Sequence, residues 1–433
     1  MKTLYMKAST AVEIANYVEA QISAGKLPAG ELLPSVRALA QHLGVSPNTV
    51  AAAYARLREA GMLVTDGRRG TCVAAPPTHS DVMTDVPAGL VDIASGNVDG
   101  SLLPHPDSSW LAKQQALVGY DADGDDVGLL KIARRWLDSQ RVASEVVGVF
   151  SGTLDAIERA LRLHARPGAR VWVEDPCWPP LRALLVSLRL KPVPLRVDAE
   201  GCTVPEPDDQ AIALVLTARA QNPTGAIVSA PRFAALSKAL RRRPRTLLIF
   251  DDYWGPLAAH PLPKLDDLPE HWLYVLSTSK FLGPDLRVAI VSGNAALIRE
   301  MRHQQALGPR WVSLLLQRLA AHLWQQAGQN DGLESARKAY AERRLKLIHA
   351  LHTLDVDVPD EGEGLHLWLP VPDELTVVQA LAAKGWGIQA GRPFRLQSPP
   401  AIRVSVGNLV MDATERLAED LAAGLRAPRR AWI

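Results

Sequence analysis

The sequence has few cysteines, little net charge and no long apolar run, and each shortage excludes a class of protein. Three cysteines among 433 residues, widely spaced and odd in number, argue against a disulfide framework and a zinc site, and indicate reduced thiols. A net charge of +2 gives the whole chain no basic field, so nucleic-acid binding would have to be local. No apolar run approaches membrane-spanning length, and the first residues lack the pattern of a secretory signal. We therefore expect a cytoplasmic protein with no membrane partner.

Length and pattern indicate more than one domain. A chain of 433 residues, 47% of them hydrophobic, can build two or three cores. Residues 1–75 show short amphipathic helices and a hairpin, residues 76–90 are mixed, polar and opened by prolines, and residues 91–433 alternate strands with helices. We interpret these three stretches as a small domain, a linker and a large domain.

The first stretch contains capping and turn residues that predict three helices and a basic hairpin. Ser35 is placed to cap a second helix and Gly44 to end it. Ser46 precedes a third helix that starts with Pro47, a position where proline costs nothing. The hairpin tip, residues 66–70, carries two arginines. This order predicts a winged helix-turn-helix domain, and the alternative is a generic small helical domain.

Such a domain binds operator DNA through its third helix and its wing. We expect Asn48 and Thr49 to face base edges in the major groove, and the wing arginines Arg68 and Arg69 to reach phosphates or the minor groove.

Three short motifs in this stretch resemble the winged-helix domain of the GntR family of bacterial regulators. They are Leu33–Ala40, Leu43–Ser46, and Thr49-Val50 followed by Ala53-Tyr54. The resemblance implies DNA contacts at the start of the recognition helix and in the wing, and assigns them to Arg37, Ser46, Thr49 and Gly70. Pro47 departs from the family, which often has an arginine there.

In the large stretch, continuous apolar runs predict strands buried on both faces of a mainly parallel sheet. In open sheets of this kind, ligands bind beyond the carboxyl ends of the strands. The predicted strands are Val171–Glu174, Ala213–Leu216, Leu247–Phe250, Leu273–Leu276 and Val288–Val291.

A lysine follows one of these strands in the run Ser277-Thr278-Ser279-Lys280, and Arg287 comes seven residues later. Burial and a neighbouring cation would lower the pKa of such a lysine, as an amine that forms a Schiff base requires. Serines and a guanidinium supply donors for a phosphate. The alternative is a surface lysine in a polar loop.

Four more polar clusters stand at strand ends, and each is ambiguous alone. Ser151-Gly152-Thr153 opens a helix, as caps and anion sites do. Trp178 could pack or could stack on a planar ring, Asn222 lies in a turn, and Asp251 and Tyr253 could be solvated. Together they suit one cofactor, pyridoxal 5′-phosphate (PLP), which needs an acid at its ring nitrogen, donors at its ring oxygen and an anion site.

The large stretch as a whole resembles a fold-type I aminotransferase, and its combination with the first domain resembles the MocR subfamily of GntR regulators. The implied fold is α/β, with a mixed, mostly parallel sheet covered by helices and a small C-terminal α+β subdomain over about residues 300–433. The resemblance assigns Lys280 to the Schiff base, Asp251 to the ring nitrogen, Tyr253 and Asn222 to the ring oxygen, Trp178 to the ring face, and Ser151, Gly152, Thr153, Ser277 and Arg287 to the phosphate.

Two further residues complete the roles that the resemblance implies. Tyr120, between Gly119 and Gly124, would reach the phosphate of the partner subunit in a head-to-tail homodimer. Arg403 would bind the carboxylate of an amino-acid-like effector or substrate. Asn222 is lost in many members of the subfamily, so its presence leaves residual aminotransferase turnover open; a branch that responds to vitamin B6 also keeps it.

Three hypotheses follow. The chain is a transcriptional regulator that senses PLP or an amino compound, an active aminotransferase that carries a DNA-binding module, or a DNA-binding protein whose large domain only dimerises. We favour the first, because a winged helix-turn-helix has no use in metabolism alone, whereas a cofactor pocket has a clear use in sensing.

Overall fold

The computed structural model describes residues 9–23, 26–59, 62–66, 70–74, 86–113, 119–121, 123–265 and 268–426. The wing arginines Arg68 and Arg69 lie outside the described residues, so their DNA contacts stay a prediction. None of the helices in these ranges is both long and apolar enough to cross a membrane.

The N-terminal module is a winged helix-turn-helix domain. It consists of α1 (Ala11–Ser23), α2 (Val36–Leu43), α3 (Pro47–Glu59) and an antiparallel pair, β1 (Leu63–Asp66) and β2 (Gly70–Val73). The Ser35 hydroxyl accepts the N–H of Ala38 at 3.2 Å, and Gly44 ends α2 with a left-handed φ of 67°. Tyr54 is fully buried and donates to the Pro34 carbonyl at 2.8 Å, which fixes α3 against the turn before α2.

The large module is built on a sheet of eight strands within the described residues. The strands are β4 (Val147–Phe150), β5 (Arg170–Asp175), β6 (Lys191–Asp198), β7 (Gly201–Cys202), β8 (Ala213–Leu216), β9 (Leu247–Asp252), β10 (Trp272–Ser277) and β11 (Ala289–Gly293). Their spatial order in the sheet is β4-β11-β10-β9-β8-β5-β6-β7.

All five predicted strands are present, and one of them runs against the rest. The pairs β5–β8, β8–β9 and β9–β10 are parallel, whereas β11 is antiparallel to both β10 and β4. Only a 3₁₀ turn, Pro284–Leu286, and no α-helix separates β10 from β11. This short connection returns the chain beside the strand that it left, whereas a parallel crossover needs a dozen or more residues.

Helices cover both faces of this sheet. One face packs on α5 (Val127–Ser139), α8 (Ala230–Arg241), α10 (Leu314–Gln329) and the first half of α11 (Gly332–His352), and the other packs on α6 (Thr153–His164), α7 (Pro179–Ser187) and α9 (Ala295–Ala306). A short helix, α4 (Ser108–Ala112), precedes them. Since both faces are covered, the central strands β8, β9 and β10 are apolar along most of their length.

The C-terminal subdomain has its own core. An antiparallel sheet of β12 (His366–Pro370), β15 (Ala401–Ser405) and β14 (Gln389–Ala390) packs on α12 (Glu374–Ala382), α13 (Thr414–Arg426) and the end of α11. Beside it, β13 (Trp386–Gly387) pairs in parallel with β3 (Val91–Asp92), and Ile93 is buried in the same core. The first residues after the linker therefore belong to this subdomain.

A buried ion pair in the large sheet yields a stability prediction. Arg219 and Asp252 lie 2.6 Å apart with side chains only 3% exposed. Replacement of Arg219 by leucine should cost about 3–5 kcal/mol of unfolding free energy, because it leaves a buried carboxylate without its cation. The measurement is urea unfolding of the two proteins.

The exposed pair of Arg162 and Glu158, on α6, is the control. Arg162→Ala should change the free energy by no more than about 1 kcal/mol. Equal effects of the two substitutions would contradict the role assigned to the buried pair.

Candidate functional site

Polar groups collect at one edge of the large sheet. The carboxyl ends of the parallel strands β5, β8, β9 and β10 meet there, and so does that of β4, because β4 and β10 are both antiparallel to β11. Each strand places at this edge a residue predicted from the sequence. These residues are Ser151, Gly152 and Thr153 after β4, Trp178 after β5, Asn222 after β8, Asp251 and Tyr253 at the end of β9, and Lys280 after β10.

The two adjacent acids at the end of β9 have different partners. Asp252 accepts from Arg219 at 2.6 and 3.3 Å, from Gly255 N–H at 3.0 Å and from the Tyr274 hydroxyl. Its charge is therefore compensated inside the protein. Arg219 was not singled out from the sequence, because its partner lies 33 residues further along the chain.

Asp251 is the acid that remains for a ligand. It is 7% exposed, and its Oδ1 has no hydrogen-bond partner among the described residues. Burial, and secondly the charge of Asp252, raises the pKa of Asp251 to about 7. A positively charged ring N–H is the kind of donor that would satisfy this oxygen and lower that pKa.

A second buried acid stands beside it at the end of β5. Glu174 accepts the N–H of Thr217 at 3.0 Å and the side-chain amide of Gln221 at 3.3 Å. Burial raises the pKa of Glu174 to about 8, and the nearby charge of Asp251 adds to the rise. We did not assign it from the sequence, although an acid at the end of an apolar strand was a usable signal.

Lys280 has the electrostatics of a reactive amine. Its Nζ donates to the Gly96 carbonyl at 2.8 Å. Burial, and then the charge of Arg403, lowers the pKa of Lys280 to about 8. A substantial fraction of the Lys280 amine is therefore neutral near pH 8, whereas an ordinary lysine, with a pKa of about 10.4, is almost fully protonated at that pH.

Arg403 comes from the small subdomain and faces the same cluster. Its Nη1 donates to Asn222 Oδ1 at 3.1 Å and its Nη2 to the Ala94 carbonyl. The guanidinium lies over the Phe394 ring at 4.7 Å, and its Nε has no hydrogen-bond partner among the described residues. Burial lowers the pKa of Arg403 to about 10. This is a buried cation with a donor to spare, which suits a carboxylate.

Tyr253 and Trp178 border the cluster. The Tyr253 hydroxyl donates to the Ala220 carbonyl, and Trp178 is half-buried at the start of α7. The residue before the tryptophan, Cys177, donates its N–H to the Phe394 carbonyl at 2.7 Å, which ties this segment to the small subdomain.

The start of α6 forms a cradle with an arginine. Gly152 has a φ of 92°, and a Cβ atom there would lie 2.4 Å from Nη2 of Arg287. The positive φ favours glycine, and the absent side chain leaves room for the guanidinium at this helix N-terminus, where Thr153 is the first helical residue. A helix N-terminus with a guanidinium against it is an anion site.

Two serines adjoin this cradle. Ser151 donates its N–H to Asp155 at 3.1 Å, and the buried Ser277 accepts the N–H of Ser279 at 3.3 Å. Ser151 directly follows β4 and Ser277 ends β10, so both residues lie at the same end of the sheet as the cradle.

Tyr120 is not brought to this cluster. Its side chain is 83% exposed, and its ring lies 4.8 Å from the Arg310 guanidinium and 6.4 Å from the Trp311 ring.

His366, which we did not single out, lies among the cations. It is buried on β12, and its Nδ1 is 2.9 Å from the Ser405 hydroxyl. Burial, followed by the charges of Arg403, Lys280 and Arg344, holds the pKa of His366 well below its ordinary value. Nothing in its local sequence marks it, because its neighbours come from distant segments.

In the DNA-binding module the predicted residues that the structure describes are exposed or half-buried. Arg37, Ser46 and Asn48 are exposed and Thr49 is half-buried. Ser46 Oγ accepts the N–H of Thr49 at 3.1 Å and lies 2.9 Å from its hydroxyl, which caps α3. Gly70 opens β2 with a φ of 99°.

Comparison with known proteins identifies both modules. Residues 110–421 match the family described as "Aminotransferase class I and II", and residues 10–73 match "Bacterial regulatory proteins, gntR family". The chain is similar to the vitamin B6 salvage pathway transcriptional repressor PtsJ of Salmonella typhimurium, with 36% identity covering 96% of this chain and 98% of that protein. It is also similar to a probable rhizopine catabolism regulatory protein, MocR, of Rhizobium meliloti, with 26% identity covering 96% and 92%.

The large module has the fold of PLP-dependent aminotransferases. The kynurenine aminotransferase of Pyrococcus horikoshii, solved with PMP and its substrates, superimposes with a TM-score of 0.69 at 19% identity, over 78% of this chain and 92% of that one. The chain belongs to the MocR subfamily of GntR transcriptional regulators, in which a DNA-binding domain is joined to an aminotransferase-like domain.

The electrostatics of Lys280 can be tested without any cofactor. In Arg403→Gln a positive neighbour is lost, so the pKa of Lys280 should rise from about 8 towards the ordinary value of about 10.4. The measurement is an NMR titration after partial reductive ¹³C-methylation of the lysines. Arg287→Gln is the control and should leave the midpoint near pH 8. A common midpoint for wild type and Arg403→Gln would contradict the assigned cause.

Proposed function

We propose that this regulator binds PLP at the sheet edge, attached covalently to Lys280, and that the bound cofactor changes its affinity for operator DNA. One observation carries the proposal: Asp251 presents a buried carboxyl oxygen with no partner among the described residues, in the cluster that holds Lys280 and Arg403. A lone buried acid and an amine of lowered pKa are costly to maintain and suit a ring that carries an acidic N–H and an aldehyde.

The donor set fits the whole cofactor. Asp251 would hold the ring nitrogen, with Tyr253 and Asn222 at the ring oxygen and Trp178 against the ring face. When bound, PLP supplies an electrophilic aldehyde and an electron-withdrawing ring. Lys280 would provide the amine, and the pKa of about 8 keeps part of it neutral for that purpose.

At the other end of the cofactor, the cradle would hold the phosphate. Gly152 and Thr153 offer a helix N-terminus, Arg287 offers a guanidinium, and Ser151 and Ser277 offer hydroxyls. Tyr120, exposed on this chain, would complete the phosphate site of a second copy in a head-to-tail homodimer.

PLP itself is the effector that we favour. The relative PtsJ is named a repressor of vitamin B6 salvage, and a repressor of that kind has PLP as the natural signal of sufficiency. An amino compound is the alternative, because Arg403 keeps an unpartnered Nε among the described residues and could bind its carboxylate. Asn222, which accepts a hydrogen bond from Arg403, also keeps the site similar to that of an enzyme. Turnover of an amino donor with a keto acid would reveal residual aminotransferase activity.

The decisive test compares operator affinity with and without PLP at one fixed salt concentration. For wild type we expect a difference of roughly 5- to 150-fold, the usual range of allosteric coupling. Lys280→Ala should lose both this difference and the visible absorbance band that borohydride fixes to the protein. Lys131→Ala, an exposed lysine on α5, should keep both.

Equal wild-type affinities with and without PLP would refute the proposed sensing. A borohydride-stable adduct at full yield in Lys280→Ala would refute the assignment of the lysine.

DNA binding is expected to use Arg37 mainly through phosphate. Arg37→Gln should weaken binding to all sequences and flatten the slope of log affinity against log salt by about one unit. The matched control is Arg58→Gln, because Arg58 lies in the last turn of α3, at the end away from the cap at Ser46. The measurement is a salt titration of operator and non-operator DNA, and an unchanged slope in Arg37→Gln would contradict this docking.

A further inference from the structure

One short segment, Asp92–Asn97, crosses between the two subdomains at the site; we call it the crossing segment. Its start belongs to the small subdomain: Ile93 donates to Gly387 at 3.0 Å and accepts from Ser405 N–H at 2.8 Å. Three residues after Ile93, the Gly96 carbonyl accepts from Lys280 of the large subdomain. The crossing segment is therefore hydrogen-bonded to both subdomains within a few residues.

Two carbonyls of the crossing segment accept from the two site cations. Ala94 O accepts from Arg403 Nη2, and Gly96 O accepts from Lys280 Nζ at 2.8 Å. Position 96 favours glycine, because its φ is +70° and a Cβ atom would lie 2.6 Å from Cε1 of the buried His366. Buried cations require acceptors, and here one stretch of backbone supplies an acceptor to each.

Asp92 fixes the shape of the crossing segment. Its Oδ1 accepts the N–H groups of Ala94 at 2.9 Å and Ser95 at 2.8 Å, and its Oδ2 accepts the Ser95 hydroxyl. These bonds form a tight turn whose N–H groups point to Asp92. The carbonyls of Ala94 and Gly96 are left for the cations.

We propose that Asp92 is a positioning residue that holds the crossing segment against Arg403 and Lys280, and that this segment reports cofactor and effector binding to the DNA-binding module. The inference rests on the proposed function. A lysine whose Nζ is joined to the cofactor has fewer N–H donors, and a guanidinium that pairs with a carboxylate redirects its own. In either event a carbonyl of the crossing segment loses its hydrogen-bond donor. The segment must then shift, or that carbonyl must accept from another donor.

The crossing segment is continuous with the chain that leads to the DNA-binding module. Upstream of Asp92, Val91 of β3 donates its N–H to the Gly385 carbonyl at 2.8 Å. Val86 packs closely against Gly387, since a Cβ atom built on Gly387 would lie 2.3 Å from Cγ1 of Val86. Only residues 75–85 lie between this docked stretch and Ala74, the last described residue of the DNA-binding module. A shift of the segment therefore acts on the attachment point of that module.

The test uses Asp92→Ala and a matched control. Asp107 makes the same kind of turn, with the Ser109 hydroxyl at 2.6 Å and the Trp110 N–H at 2.9 Å, and none of its described contacts reaches Lys280 or Arg403. In Asp92→Ala we expect the PLP-dependent change in operator affinity to fall from 5- to 150-fold to less than about 2-fold. Asp107→Ala should keep the wild-type ratio.

A conservative variant and a spectroscopic measurement separate positioning from general damage. Asp92→Asn keeps an oxygen that can accept both backbone N–H groups, so it should restore most of the ratio. In Asp92→Ala the NMR midpoint of Lys280 should move below pH 8, because the Gly96 acceptor that favours the protonated amine is lost. A wild-type ratio and an unmoved midpoint in Asp92→Ala would overturn the inference.

Hydrogen exchange on the wild type tests the inference without any variant. PLP loading should change amide exchange over residues 91–97, and the turn at Asp107 should stay as it was. Unchanged exchange over residues 91–97 would overturn the inference whatever the operator result. Equal operator affinities with and without PLP would instead overturn the proposed function, so the two failures can be told apart.

Discussion

The buried ion pair between Arg219 and Asp252 is the interaction on which the site depends. Two adjacent acids at the end of one strand cannot both stay buried and charged without compensation. Arg219 takes the charge of Asp252, and the protein leaves Asp251 with an oxygen that has no partner among the described residues. The strand alternates its side chains between faces, so the two acids point to opposite sides of the sheet, and Asp252 is the one that meets Arg219.

The same logic of burial governs the cations. Lys280 and Arg403 come from different subdomains, and the charge of Arg403 is close enough to contribute to the lowered pKa of Lys280. Both cations donate to backbone carbonyls. Ligand binding at a site shared by two subdomains can alter how the subdomains are placed, because each subdomain holds some of the groups that contact the ligand. Such a site suits a regulator, since ligand binding is then linked to the position of whatever is attached to either body.

An aminotransferase fold fused to a winged helix separates two tasks. In the function that we propose, the sheet edge supplies the cofactor pocket, and α3 with its cap at Ser46 supplies the surface for DNA. The retention of Asn222 beside Arg403 keeps the pocket close to an enzyme's. Nothing in that geometry requires turnover for sensing, because occupancy by itself can alter the hydrogen bonds that join the subdomains.

Local chemistry determined what could be predicted from the sequence. Capping at Ser35 and Gly44 and the apolar runs of the sheet depend on neighbours in the chain, so helices and strands were predictable within a few residues. The strand ends beside which Lys280 and Asp251 lie were predictable for the same reason. Partners distant along the chain were decided only by the tertiary structure. The pairing of Arg219 with Asp252, the burial of His366 and the crossing segment at Asp92 all join residues that have no local pattern in common, because folding brings them together through the packing of separate elements.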